Sequence, residues 1–213
     1  GLLYGLTVAN QFIASGLYQN ILVIGVEVLS RYVDYTDRAT CVLFGDGAGA
    51  AVVQRSTDPN RGVLATKIQS DGDYAPVLYI PGGGTKIPAS HESIDGRQHF
   101  IKMKGNELFK VAVRSMEDTA RQLLGEMKMT TNDLDIFVPH QANQRITDAV
   151  ADRLGVPAEK VYSNIAYTGN TSAASIPICL DELFEAGRLQ PGTTLLMTSF
   201  GAGVTWGGVL MRW

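Results

Sequence analysis

The chain has 213 residues, 45% of them hydrophobic and 18% charged, with a formal net charge of -3. That length and apolar content support a sizeable packed core and exclude a disordered segment. The charge balance gives no case for nucleic-acid or anionic-membrane partners, and no uninterrupted apolar run approaches the ~20 residues needed to span a bilayer.

The chain opens Gly1-Leu2-Leu3-Tyr4-Gly5-Leu6. It carries no initiator Met and no basic leader, so a signal peptide is a poor reading. Leu2, Leu6, Ala9 and Ile13 recur at helical spacing and predict a buried helix over 2–15, stopped near Gly16. A chain that starts inside a buried helix is expected to be part of something longer. The run Ile21-Leu22-Val23-Ile24-Gly25-Val26 reads as a central parallel strand. Segments 40–44 and 50–53 read as further strand, interrupted by Gly45-Asp46-Gly47-Ala48-Gly49. Residues 56–60 form a turn-rich boundary.

A second unit begins with a strand at 63–68. Residues 70–99 show little periodicity and hold Gly82-Gly83-Gly84, which predicts a long surface excursion. Leu108, Val111, Ala112, Met116, Ala120 and Leu123 mark an amphipathic helix over 106–124. There follow a strand at 135–139, a helix at 143–154, a short strand near Val161, a helix at 171–186 and strands at 193–199 and 204–212. Strands alternating with helices make the chain α/β. One series recurs: helix, small turn, apolar strand, then Phe-Gly-x-Gly, once ending at Phe44-Gly45-Asp46-Gly47 and once at Phe200-Gly201-Ala202-Gly203.

Three places carry chemistry. Pro139-His140-Gln141-Ala142-Asn143 follows a predicted strand. A lone histidine at a strand end is usually a satisfied core residue, but these flanking polar residues argue against simple packing. Asn170, in Gly169-Asn170-Thr171-Ser172, fits a helix N-cap and also the glycosylation acceptor pattern; the second reading fails in a cytoplasmic protein. Gly201-Ala202-Gly203 alone reads as a tight turn. Together, such groups can aim donors at one developing negative oxygen. The two cysteines, Cys41 mid-strand and Cys179 deep in a helix, suit a reduced cytoplasmic protein and structural roles rather than a disulfide. Pro81-Gly82-Gly83-Gly84-Thr85-Lys86 lacks phosphate-loop spacing, and Gly45-x-Gly47-x-Gly49 is no dinucleotide fingerprint.

From first residue to last, these motifs resemble β-ketoacyl-[acyl carrier protein] synthase III, a thiolase-fold condensing enzyme. The resemblance implies a thiolase-like α/β fold, with duplicated βαβαβαββ halves in a layered αβαβα arrangement and the first half truncated. Residues 1–58 would end the N-terminal half and 62–213 would form the C-terminal half. It also implies that the parent enzyme, an acyltransferase, condenses an acyl-CoA primer with malonyl-[acyl carrier protein], with decarboxylation, to initiate fatty-acid synthesis. No metal or redox cofactor is implied; coenzyme A thioester is a substrate. The implied partners are acyl-CoA, malonyl-acyl carrier protein and a second copy in a full-length homodimer, with no nucleic acid and no membrane.

By the same resemblance, His140 and Asn170 are catalytic and bind the malonyl thioester carbonyl. The Ala202 backbone N–H contributes an oxyanion hole. Arg38, Gly105, Phe109 and Asn143 bind coenzyme A or its pantetheine arm. Lys110, Arg145 and Arg153 dock the acidic carrier protein, although any one such charge reads equally well as a solvated helix face, and Asp152 falls where some relatives carry a second basic residue. The family's nucleophile is a cysteine at a helix N-terminus, and Gly1 aligns two residues after it. This chain alone is therefore expected to be inactive. The alternatives are a related thiolase-fold synthase for quinolone or polyketide precursors, and a non-catalytic partner subunit of a condensing enzyme.

Overall fold

The computed structural model describes all of residues 1–213. In chain order the elements are α1 (Leu2–Ala14), β1 (Asn20–Val28), β2 (Asp46–Gln54), β3 (Gly62–Ser70), β4 (Leu78–Tyr79), α2 (His91–Asp95), β5 (Lys102–Met103), α3 (Gly105–Glu126), β6 (Ile136–Pro139), α4 (Gln144–Leu154), α5 (Ile165–Thr168), α6 (Ser175–Glu185), β7 (Thr194–Gly201) and β8 (Thr205–Arg212). Short 3-10 turns fill several connections.

The main sheet has the order β3-β8-β7-β6. β6 runs parallel to β7, while β8 is antiparallel to both β7 and β3. Side chains alternate across it, as strand geometry requires. Phe137, Leu196 and Leu210 face a core built with α3 and α4. Their neighbours Ile136, Val138, Leu195, Met197 and Val209 face a second core built with α1 and α6. Strand residues buried on both faces explain why these segments read as continuous apolar runs.

β1 and β2 form a separate two-stranded antiparallel sheet, in register from Asn20↔Gln54 to Val28↔Asp46. α1 packs on this pair and, from its other side, on β3 and β8; α6 packs on β2 and β6. The layers therefore run small sheet, α1 with α6, main sheet, α3 with α4. The sequence echo has a physical counterpart. α1 leads into the antiparallel pair β1–β2, and α6 leads into the antiparallel pair β7–β8.

Several expectations change. Within residues 1–213 the 21–26 strand pairs with β2 alone, antiparallel, and leaves Leu22, Ile24 and Val26 exposed. The glycine run 45–49 does not interrupt a strand, because β2 is continuous from Asp46. Its glycines serve close approach: a Cβ on Gly49 would lie 2.8 Å from the Pro177 ring on α6. Residues 40–43 are turns rather than strand. The Asp37 carbonyl accepts from the Cys41 N–H, and its carboxylate holds the Ala39 N–H and Thr40 hydroxyl, so local bonds outcompete a ladder. Cys41 is consequently in a turn. Only Phe44 bridges, and its partner is Asn170. The strand near Val161 is a single bridge to Phe137.

The excursion over 70–99 carries only short elements, with β4 pairing to β5. An ion pair pins it down: Arg97 pairs with the buried Asp34 carboxylate and lies 5.0 Å over the Phe100 ring. Hydrogen bonding from Arg97 and then Thr36 holds the Asp34 carboxyl well below the usual carboxylate range.

Candidate functional site

The candidate site is a cavity of about 710 Å³. It is lined by the start of α1 (Gly1, Leu2, Leu3), the start of α3, the end of β6, the 170–176 segment and the β7–β8 turn. Most of its lining residues are hydrophobic, with polar groups set among them, the usual character of a small-molecule site.

His140 follows β6 directly. Its backbone N–H donates to the Thr198 carbonyl at 2.8 Å, which extends the β6–β7 ladder by one residue and fixes the ring at the sheet's edge. The ring is buried, and Nδ1 lies 2.6 Å from Ser175 Oγ. Burial pushes the imidazole down from its ordinary 6.5 to about 4. The ring is therefore neutral at pH 7 and has one N–H to give.

Asn170 is held differently. Its main chain exchanges bonds with the segment entering β2: its N–H donates to Leu43 O at 2.8 Å, and its carbonyl accepts from the Gly45 N–H at 2.9 Å. Its side-chain Oδ1 accepts from the Ser172 N–H at 2.9 Å. With the oxygen occupied, the amide nitrogen is the end left to donate into the cavity. The predicted helix over 171–186 starts later than expected: a 3-10 turn covers Ser172–Ala174 and α6 begins at Ser175. Asn170 thus closes a tight turn onto Ser172 and does not cap α6. Ser172 takes a positive φ of 47° in that turn. The Glu27 carboxylate accepts from the Ala173 N–H at 3.2 Å and ties the turn to β1.

The structure brings His140, Asn170, Ala202, Gly105, Phe109, Asn143 and Arg145 to this one cavity. Asn143 is the N-cap of α4: its Oδ1 accepts from the Arg145 N–H at 2.9 Å. The Arg145 guanidinium sits 5.6 Å over the Phe109 ring. Arg38, Lys110 and Arg153 do not line the cavity. Arg38 is exposed beside Ala39, which does line it, and Lys110 is exposed on α3. Arg153 is paired with Glu117 at 3.2 Å, so part of its charge is already met. Cys179 is buried in α6, where burial and then the Glu182 carboxylate push its thiol up to about 12; it is no nucleophile. No group of three or more His, Cys, Asp or Glu side chains is placed to hold a metal ion, and no helix is long and apolar enough to cross a membrane. Sequence reasoning missed Ser175, which reads there as one more small residue in a small-residue run. Its only signal is its place at the first turn of a helix that packs on β6.

Comparison with known proteins adds the following. Residues 1–72 match the family described as 3-oxoacyl-[acyl-carrier-protein (ACP)] synthase III, and residues 124–213 match its C-terminal counterpart. The whole chain is 47% identical to the β-ketoacyl-[acyl-carrier-protein] synthase III of Chlorobium chlorochromatii and 48% identical to that of Desulfitobacterium hafniense, covering 65% and 64% of their lengths. Among solved structures, it is similar over its full length to the 3-oxoacyl-[acyl-carrier-protein] synthase III of Aquifex aeolicus, with a TM-score of 0.91, 47% identity and 64% of that chain covered. It is also similar to the priming β-ketosynthase of the R1128 polyketide pathway, with a TM-score of 0.87, 36% identity and 63% covered. The chain thus spans somewhat less than two-thirds of these relatives. These likenesses carry the thiolase-like fold.

Proposed function

The chain belongs to the 3-oxoacyl-[acyl-carrier-protein] synthase III family, and from that premise we propose that the whole protein is an acyltransferase that starts fatty-acid synthesis. It moves a primer acyl group from coenzyme A to a cysteine. It then condenses that group with malonyl-acyl carrier protein, releasing carbon dioxide and a β-ketoacyl product. The observation that carries this reading is one apolar cavity at which a buried neutral histidine, an asparagine with its amide nitrogen left to donate, and the β7–β8 turn all converge.

In the proposed first half-reaction, a cysteine thiolate attacks the acyl-CoA carbonyl. The oxyanion is met by main-chain N–H groups, including that of Ala202, and coenzyme A leaves as its thiolate. The cysteine belongs to the stretch preceding Gly1 in the family pattern, next to the N-terminus of α1, which would lower its pKa. In the second, malonyl thioester loses carbon dioxide and the C–C electron pair becomes an enolate. The His140 imidazole N–H and the Asn170 amide N–H neutralise the enolate oxygen. The enolate carbon then attacks the acyl-cysteine carbonyl, and collapse of the tetrahedral intermediate returns the thiolate. None of these steps calls for a metal or redox cofactor.

Substrate delivery follows the same reading. Gly105, Phe109 and Asn143 line the path of the pantetheine arm, and Arg38 meets the nucleotide end. Lys110, Arg145 and Arg153 face the acidic carrier protein, with Arg153 weakened by Glu117. We assign residues 1–58 to the end of the first thiolase half and 62–213 to the second, and place the whole protein in the cytoplasm as a homodimer. The likeness to a polyketide priming synthase keeps one second reading, a related synthase that primes a polyketide. Incubating the whole protein with radiolabelled acyl-CoA and malonyl-acyl carrier protein tests the proposal. Acyl-enzyme and a β-ketoacyl-carrier product are expected. Acylation without condensation onto the carrier protein would refute it.

A further inference from the structure

His140 can donate into the cavity only if its one ring proton sits on the nitrogen that faces it. Ser175 decides which nitrogen that is. Ser175 is the first residue of α6 and is 1% exposed. Its Oγ lies 2.6 Å from His140 Nδ1 and accepts from the Gln141 N–H at 3.4 Å. A serine hydroxyl has one proton and two lone pairs. The Gln141 N–H can only donate, so it takes a lone pair. Ser175 Oγ has no other hydrogen-bond partner, so no carbonyl takes its proton. His140 Nδ1 is then the one acceptor paired with the hydroxyl proton. If Nδ1 carried the ring proton instead, two hydrogens would compete for one short contact and a buried donor would be unmet.

We propose that Ser175 is a positioning residue that donates to Nδ1, holds His140 in the Nε2–H tautomer and so aims that N–H into the cavity. The same contact ties β6 to α6, so it fixes the plane of the ring as well as its proton. The inference rests on the proposed role of His140 as the donor to the enolate oxygen. It adds which nitrogen donates and what keeps it there. A ring nitrogen whose hydrogen bond is set by a fixed partner commonly has its tautomer chosen that way.

The test uses the whole protein labelled with ¹⁵N-histidine. The parent should show a His140 ring with unprotonated Nδ1 and protonated Nε2. Ser175→Ala should replace that signature with a tautomer mixture. It should slow malonyl decarboxylation about tenfold or more, the scale of leaving one buried hydrogen-bonding group unmet, while acylation stays within about twofold. Ser175→Thr, which keeps the hydroxyl, should restore both readouts. A parent ring protonated on Nδ1, or an unchanged spectrum and decarboxylation rate in Ser175→Ala, overturns the inference. If Ser175→Ala does not fold, the parent spectrum alone decides. His140→Ala is run beside these: decarboxylation at the parent rate in that variant would sink the proposed function, whereas the ring spectrum still judges the tautomer.

Discussion

Gly25 on β1 lies so close to Ala173 that a Cβ placed on it would stand 2.3 Å from the Ala173 carbonyl oxygen. The backbone of the cavity-lining turn therefore rests on bare backbone of the small sheet. Gly25→Ala is expected to push the 172–174 turn away and destabilise the protein by about 1–3 kcal/mol or more, the cost of overpacking where the neighbour is main chain. Urea denaturation of the variant measures this. An unchanged midpoint would mean that the contact is looser than it stands here.

His140→Ala and Asn170→Ala should each lower malonyl decarboxylation by about 10²–10³, the scale for losing one oxyanion donor. Acylation by acyl-CoA should survive in both, because it depends on the thiolate and the main-chain oxyanion hole. Single-turnover labelling with acyl-CoA, beside carbon dioxide release, separates the two steps. Variants that decarboxylate at the parent rate but fail to acylate would reverse the roles.

The pH dependence of His140 has a definite sign. Its folded value is depressed to about 4, while the unfolded chain takes a proton near the ordinary 6.5. Between those values the unfolded state binds more protons. The His140 contribution to stability is therefore fully present above about 6.5 and is lost as pH falls toward 4. His140→Gln should show a smaller loss of stability between pH 7 and pH 5 than the parent, measured by urea midpoints. In the whole protein the ring stays buried, so the decarboxylation limb that reports imidazole protonation should fall below the ordinary 6.5.

Phe137 is fully buried in the core between the main sheet and α3 with α4. Phe137→Ala should cost about 3–5 kcal/mol. It should also lower both half-reactions together through loss of folded protein, which distinguishes it from the selective effect at His140. Parallel denaturation and activity curves check this.

Much of this was legible in the sequence, for identifiable reasons. α3 has the apolar spacing of a helix that faces one way, and β6, β7 and β8 have runs long enough for strands covered on both faces. His140, Asn170 and Ala202 stand out because polar or glycine-flanked residues follow directly on such runs. The glycines of β2 misled because glycine usually punctuates strands, whereas here α6 approaches so closely that side chains have no room. Residues 40–43 misled because Asp37 offers hydrogen bonds that no periodicity records. Ser175 stayed hidden because a serine that sets a tautomer and a serine that merely fits are the same letter.

His140 hangs from the main sheet through Thr198, and Asn170 hangs from the entrance to the small sheet through Leu43 and Gly45. The two donors are carried by different layers, with α1 and α6 as the spacer between them. Their separation is thus a gauge of how thick that spacer is. A substitution on the buried side of α1 or α6, even one far from the cavity, would be read out as a change in the span between donors. Such substitutions should spoil recognition of one oxygen before they noticeably loosen the molecule.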